Sequence, residues 1–305
     1  MNQHISVFKQ EAIDCLNIKP TGIYVDGTFG RGGHSLAICQ KLTTGKLIAT
    51  DLDQAAIDFG NKMIKDYHLE NKLLLYKSNF CNIENILLSL EINKVDGILL
   101  DLGVSSPQFD TPERGFSYRY DSLLDMRMNQ EQELSALEMV NEYSKEKLIK
   151  ILYEYGEEKF AYKIVEKIIE NRPLMTTFDL VAAIKSALPA KVLNSKGHPA
   201  KKTFQALRIA VNGELDSLQL ALESMPKLLN VNGVLAIISF HSLEDRLVKK
   251  AFNQLSKPQK INRRVPVLEL EKLDFLSRKI MISDLEVLEN NRAHSAILRI
   301  LERIN

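Results

Sequence analysis

Between residues 22 and 101 short apolar runs alternate with amphipathic stretches. Gly22-Ile-Tyr-Val-Asp-Gly27, Lys46-Leu-Ile-Ala-Thr-Asp51, Lys72-Leu-Leu-Leu-Tyr-Lys77 and Val95-Asp-Gly-Ile-Leu-Leu-Asp101 are short, apolar and bounded by glycine or polar residues, which predicts buried strands. Between them, Ser35 to Leu42, Gln54 to Tyr67 and Asn82 to Leu90 carry helical spacing. Strand and helix in strict alternation predict β-α-β crossovers and a parallel sheet.

The pattern changes after Asp110. Leu134 to Leu188 contains helix patterns and no strand candidate. Ser144 is placed to cap one helix. Glu157 to Glu170 spaces Phe160, Ile164 and Ile168 as a helix face and ends at Asn171-Arg-Pro173, and Thr176 with Asp179 has capping-box spacing for a helix that Pro189 stops. The α/β pattern then resumes. A helix is predicted from Phe204 to Leu229, a turn at Asn232-Gly233, a strand at Val234-Leu-Ala-Ile-Ile-Ser239, a helix from Leu243 to Leu255 and a last strand at Ser295-Ala-Ile-Leu-Arg-Ile300. The fold class that follows is α/β: a doubly wound, Rossmann-like sheet interrupted by an all-helical insertion. The sheet domain is discontinuous, 1–107 and 204–305, and the insertion, 108–203, is the candidate for substrate recognition. Ser256-Lys-Pro-Gln-Lys-Ile-Asn-Arg-Arg264 is polar and basic and predicts a loop.

Composition narrows the classes. A chain of 305 residues, 45% hydrophobic and 26% charged, is an ordinary globular sequence. Net charge is +1, so a nucleic-acid partner would be held by a local patch rather than a global field. Cys15, Cys39 and Cys81 are far apart, and the six histidines form no metal-binding pair, so neither a disulfide framework nor a metal site is expected. No apolar leader or membrane-length run is present, and a cytoplasmic protein is the default expectation. Oligomeric state is open, a homodimer included.

Chemistry is expected at the carboxyl ends of the strands, where open α/β sheets bind ligands. Asp26-Gly-Thr-Phe-Gly-Arg-Gly-Gly-His34 follows the first strand there. Its glycines permit positive φ and close approach of backbone to a ligand. No Gly-Lys-Ser/Thr follows, so it is not a P-loop, and the glycine spacing differs from the dinucleotide fingerprint. Asp51 ends the second strand, where a carboxylate can accept both ribose hydroxyls of a nucleoside, a feature shared by NAD and S-adenosylmethionine. Asp26 beside the glycines would repel a pyrophosphate and attract a sulfonium and an amino group, which favours S-adenosylmethionine. Phe80, after the third strand, is a candidate to cover an adenine; a core position is the plain alternative.

After the fourth strand comes Asp101-Leu-Gly-Val-Ser-Ser-Pro-Gln-Phe109. An exocyclic base amine is a poor nucleophile because its lone pair is delocalised into the ring. Methylating it needs acceptors for the amine hydrogens and an approach to the methyl of about 3–3.5 Å. Ser106 offers one acceptor, the carbonyl before or at Pro107 another, and Phe109 can stack the base, worth roughly 1–3 kcal/mol. A polar turn without chemistry is the alternative. Ser106-Pro-Gln-Phe109 resembles the Asp/Asn/Ser-Pro-Pro-aromatic motif of amino-methylating enzymes, with Gln108 in place of the second proline.

These segments, with Arg114-Gly-Phe-Ser117, Asp125-Met-Arg-Met128, Thr203-Phe-Gln-Ala-Leu-Arg-Ile209 and Ser239-Phe-His-Ser-Leu-Glu-Asp-Arg246, resemble the bacterial ribosomal RNA small subunit methyltransferase H family nearly end to end. The resemblance implies a class I methyltransferase sheet with a helical insertion and S-adenosylmethionine-dependent N4-methylation of a cytidine in the decoding region of 16S rRNA. By matched position it implies cofactor contacts at Gly32, Gly33, His34, Asp51, Phe80, Asp101 and Gln108. Residues 261–290 match least.

Other residues carry paired expectations. Arg114 and Arg127 are expected to contact RNA phosphate or order the insertion; salt bridges with Glu113 or Asp125 are the plain alternative. Lys201 and Lys202 form a phosphate site or a solvated face. Arg208 is expected to pair with a carboxylate near the cofactor. His241 binds the base or a phosphate, or caps a helix with Ser242. A DNA or protein-amide methyl acceptor, and a dinucleotide-dependent oxidoreductase, are the competing classes.

Overall fold

In a computed structural model of the protein, residues 6–258, 273–282 and 291–305 are described. The basic stretch 256–264 lies outside the described residues from 259 onward, as does most of 261–290. No described helix is long and apolar enough to cross a membrane.

The strands are β1 (Ile23–Asp26), β2 (Lys46–Asp51), β3 (Leu73–Lys77), β4 (Val95–Asp101), β5 (Leu229–Ser239), β6 (Phe275–Met281) and β7 (Ile297–Arg303). They form one seven-stranded sheet in the order β3-β2-β1-β4-β5-β7-β6. β1 to β5 pair in parallel, and β7 and β6 run antiparallel beside them. This is the Rossmann-like arrangement the alternating pattern predicts.

Helices cover both faces, which is why the parallel strands are apolar runs rather than alternating ones. Tyr24, Leu47, Ala49, Leu99, Ala236 and Ile238 join the core beneath α1 (Lys9–Cys15), α2 (Gly33–Lys41) and α3 (Gln54–Asp66). Their neighbours Val25, Ile48, Ile98, Leu100, Leu235 and Ile237 pack with α4 (Ile83–Ser89), α12 (Glu214–Ser224) and α13 (Ser242–Ser256) on the other face. Each Leu, Ile or Val among them, removed from water, contributes roughly 1.5–3 kcal/mol.

β6 was not predicted. It is an edge strand with four consecutive exposed residues, Leu276 to Lys279, so it carries no apolar alternation to read. Asn232-Gly233, predicted as a turn, lies within β5, where pairing jumps from Val95↔Leu229 to Gly97↔Val234. Asn232 takes φ 63° there.

The chain divides into two compact units, residues 1–103 with 215–305, and residues 104–214. The sequence pattern put these boundaries at 107/108 and 203/204. The second unit holds α5 (Ser106–Asp110), α6 (Ala136–Glu142), α7 (Lys145–Gly156), α8 (Ala161–Glu170), α9 (Thr177–Ala187), α10 (Ala190–Leu193) and α11 (Lys201–Asn212). Phe204, Ala206, Leu207 and Val211 of α11 pack into its core with Leu148, Leu152, Ile164 and Ile168. The helix predicted from Phe204 to Leu229 is therefore two, broken at Gly213 with φ 58°. α8 starts at Ala161 because Glu157, at φ 46°, closes α7 first. Ser144 and Thr176 cap α7 and α9, and Asp179 returns the bond to the Thr176 N–H at 2.9 Å.

Candidate functional site

In the first unit the carboxyl ends of β2, β1, β4 and β5 lie side by side, and backbone bonds tie the loops beyond them together. The Gly27 N–H donates to the Leu99 carbonyl at 2.9 Å, the Phe29 N–H to Thr50 at 2.9 Å and the Leu102 N–H to Ile238 at 3.0 Å. Thr28 Oγ accepts from the Asp101 N–H at 2.6 Å. The first and fourth strand tips thus meet on the same edge of the sheet.

The glycine-rich loop runs from β1 into the N-terminus of α2. Gly32 is the residue before the helix and takes φ 69°, a conformation that favours glycine. A Cβ there would also lie 2.8 Å from the Met63 sulfur and from the Phe29 ring. At Gly27 a Cβ would meet Leu100 and the Phe80 Cβ, so Phe80 packs directly against the loop. Gly33 opens α2 against Ser6.

Three aspartates shape the site. Asp26 is 1% exposed, and its oxygens accept from the Thr28 N–H at 3.1 Å and the Ser35 hydroxyl at 2.6 Å. The structure uses it as a brace across the loop, so any attraction for a cation acts through its charge. Burial pushes its carboxyl above the usual range, against the Ser35 and Thr28 hydrogen bonds. Asp51 accepts from the Gly30 N–H at 2.7 Å on one oxygen and the Asp53 N–H at 2.9 Å on the other. Burial raises it to about 6 despite those bonds, with Asp53 and Asp26 adding to the rise. Each of its oxygens keeps a second lone pair for a hydroxyl.

Asp101 is the most exceptional. Burial, then the charges of Asp26 and Glu244, push it well above the carboxylate range. Its Oδ1 is buried with no hydrogen-bond partner among the described residues. Its Oδ2 lies 3.7 Å from Nδ1 of His34. His34 is 5% exposed, and its Nε2 lies 3.1 Å from the Val7 carbonyl, which fixes Nε2 as the donor.

Two contributors, Thr28 and Asp53, were missed among the sequence candidates, and Glu244, read beside His241 after the fifth strand, joins them. Thr28 links the two strand tips. Asp53, 4% exposed, caps α3 through the Ala55 N–H at 3.0 Å. Glu244, 2% exposed, accepts from the Phe240 N–H at 2.8 Å and the His241 N–H at 3.2 Å. The available signals were cap spacings, an Asp before a helix and His241 three residues before Glu244. His241 itself takes the capping alternative: its Nδ1 accepts from the Glu244 N–H at 3.4 Å.

The serine-proline segment belongs to the second unit. The predicted turn is the start of α5, with Pro107 in its first turn. The Gln108 Oε1 accepts from the Ser105 N–H at 2.9 Å, and Gln108 is 4% exposed. A second proline in its place could not make that bond. Ser106 is half-buried. The Phe109 ring meets Phe116 edge-on at 6.5 Å and leans on the helical core.

Of the two arginines, Arg127 makes the salt bridge with Asp125, and Arg114 donates to loop carbonyls. Arg114 is 9% exposed and donates to the carbonyl of Arg127 at 2.9 Å. Arg127 makes a two-pronged pair with Asp125, at 2.8 and 2.9 Å, and donates to the Gln132 carbonyl at 2.7 Å. Arg208 pairs with Glu214 at 2.8 Å through two nitrogens. Lys201 is exposed at the start of α11, and Lys202 donates to the Glu157 carbonyl at 3.0 Å, at the end of α7.

Comparison with known proteins adds one broad match: the profile described as the MraW methylase family matches residues 1–304. Among solved structures, an rRNA methylase from Streptococcus thermophilus is similar with a TM-score of 0.45 at 12% identity, covering 97% of this chain and 95% of that one. A methyltransferase candidate from Streptococcus mutans, solved in complex with SAH, is similar with a TM-score of 0.42 at 13% identity, covering 98% and 99%. Likenesses this distant do not extend to substrate or site residues.

Proposed function

The chain belongs to the MraW methylase family, and from that premise we propose that it methylates the N4 amine of a cytidine in the decoding region of 16S rRNA, in the small ribosomal subunit. S-adenosylmethionine is the cofactor of this family. When bound it supplies a methyl group on a sulfonium, activated for attack by nitrogen. The observation that carries this reading is the buried Oδ1 of Asp101, without a partner among the described residues, beside Asp26 and Glu244. A carboxylate cluster of this kind favours a cationic ligand, and the amino and sulfonium groups of the cofactor are cationic.

In this reading Asp101 receives the cofactor's ammonium group and Asp51 accepts the ribose hydroxyls on its remaining lone pairs. Gly32 and Gly33 let backbone approach closely, and Phe80 borders the adenine. The Val7 carbonyl anchors the His34 ring, whose Nδ1 lies 3.7 Å from Asp101. Ser106 accepts one amine hydrogen and the Pro107 carbonyl region the other, favouring a pyramidal nitrogen. Phe109 and Gln108 shape that turn. The amine proton is acidified once the carbon–nitrogen bond forms and leaves to water, so no dedicated base is needed. The target cytidine must be unpaired or flipped, at a cost of a few kcal/mol.

The test is methyl transfer from labelled S-adenosylmethionine to small subunits that lack the mark, followed by nucleoside mass spectrometry. Label in N4-methylcytidine is expected, and Ser106→Ala should depress turnover while cofactor affinity stays the same. Label in another nucleoside, in DNA or in protein would overturn the assignment.

A further inference from the structure

A second site lies in the first unit, away from the strand tips. A cavity of about 250 Å³ opens between α13 and the edge strand β6. Lys249, Lys257, Arg278, Lys279 and Arg299 line it, and among the described residues no carboxylate does. Lys249, Asn253 and Lys257 recur every four residues, so the second half of α13 and its C-cap present one polar stripe to the cavity. Ser277 and Lys279 alternate along β6 and so share one face.

Two features set this cluster apart from an ordinary solvated surface. Lys279 stands directly opposite Arg299 in the antiparallel pairing of β6 with β7. Like charges in that position weaken a sheet unless an anion lies between them. The structure neutralises one partner only: Arg299 makes a two-pronged pair with Asp245, at 2.7 and 3.0 Å. Lys249, Lys257 and Lys279 pair with no carboxylate among the described residues, while Arg278, between Ser277 and Lys279, falls on the other face of β6. A concave surface with excess positive charge focuses the field and concentrates anions. Phe252, 2% exposed, also lines the cavity, and Asn253 and Ser277 supply neutral donors.

We infer that this cavity binds phosphodiester groups of the RNA strand outside the methylated nucleotide. The inference rests on the RNA reading above and deepens it. α13 starts at the carboxyl end of β5, and at 1.5 Å per residue Lys249 and Lys257 lie roughly 10 and 20 Å along it from that start. Phosphates held there would fix the register of the strand without reading its sequence.

The test compares wild type with Lys249→Ala/Lys279→Ala and with Lys249→Arg/Lys279→Arg. Binding of a single-stranded RNA carrying the decoding-region sequence is read by fluorescence anisotropy across a salt series. The alanine pair should bind about tenfold more weakly, with the slope of log affinity against log salt shallower by about 1.4. Cofactor affinity by calorimetry should not change, and the arginine pair should restore RNA binding. Equal affinity and slope in the alanine pair would overturn the site. So would saturable binding of inorganic phosphate to a wild type that ignores RNA. If RNA binding depends on these lysines but no methyl reaches the RNA, the methylation reading fails and this site stands. If methyl transfer proceeds in the alanine pair with an unchanged KM for RNA, this site fails and that reading stands.

Discussion

The acids at the strand tips and the acids of the helical unit are treated in opposite ways. Burial raises Asp26, Asp51 and Asp101, and the groups that act on them are N–H donors, the Ser35 and Thr28 hydroxyls and other carboxylates. In the helical unit burial also works against Asp125, yet the Arg127 hydrogen bonds and charge hold it below the usual range. Glu138 is likewise lowered against burial, by Ser135 and Arg127, and Asp179 is lowered by the backbone N–H groups of Thr176 and Met175. The same contrast spans one strand. Asp96, at the start of β4, is buried in part but lowered overall by the Ile23 N–H and Lys19, while Asp101 at its end is raised. Carboxylates with partners stabilise the fold they sit in; those at the strand tips cost stability until a cation arrives. The proposed ligand site at the tips rests on that difference, where composition alone shows only matched charge.

The comparison can be broken in four places. The largest effect is expected at Asp51. Asp51→Ala should weaken S-adenosylmethionine binding by about a hundredfold or more, since two charge-assisted hydrogen bonds of about 1.5–3 kcal/mol each are at stake. A change under threefold by calorimetry would remove Asp51 from the cofactor site. The second is pH. With Asp51 at about 6, the accepting carboxylate predominates above pH 6 and is lost below it. Cofactor affinity should therefore be about tenfold lower at pH 5 than at pH 8, and Asp51→Ala should flatten that inflection. Identical inflections in the two proteins would assign the titration elsewhere.

The third prediction concerns the paired acids. Arg127→Ala strips Asp125 of its partner in a partly buried setting and should lower Tm by roughly 2–6 °C, with cofactor affinity within twofold of wild type. An unchanged Tm would mean that the pair does not order the insertion. The fourth is the smallest and has the opposite sign. Asp101→Asn replaces a raised carboxyl with a neutral mimic of its protonated form and should raise Tm by roughly 2–4 °C at pH 8, while weakening cofactor binding. Because the folded pKa lies above the unfolded one, the ionised group weakens the fold as pH rises through the folded value. The gain from Asn is thus full at high pH and disappears by about pH 3, where both states are largely protonated. A gain that persists at about pH 3 would point to packing rather than charge.

Much of the fold was legible because it rests on local periodicity. The five parallel strands, the helices between them and the caps at Ser144 and Thr176 are written in short windows of sequence, and the structure has them. β6 was not legible, because four exposed residues in a row carry no apolar alternation to mark a strand. The break at Gly213 was not legible either, because glycine inside a helical pattern is tolerated often enough to be passed over.

For the site, sequence determined where ligand chemistry would lie: loops after strands, glycines able to take positive φ, an aspartate at the end of β2. What the side chains do with each other was decided only in three dimensions. Asp26, His241, Arg114 and Arg127 have the residue types of ligand-binding groups, yet they are engaged as a brace, a cap and two loop-ordering cations. Asp101 has the same type as Asp96 and differs from it because one end of β4 meets a lysine and the other meets two more acids. Residue identity sets which interactions a side chain can make. Desolvation and partners distant in the chain set which of them it does make, and both arise only when the strands are brought side by side.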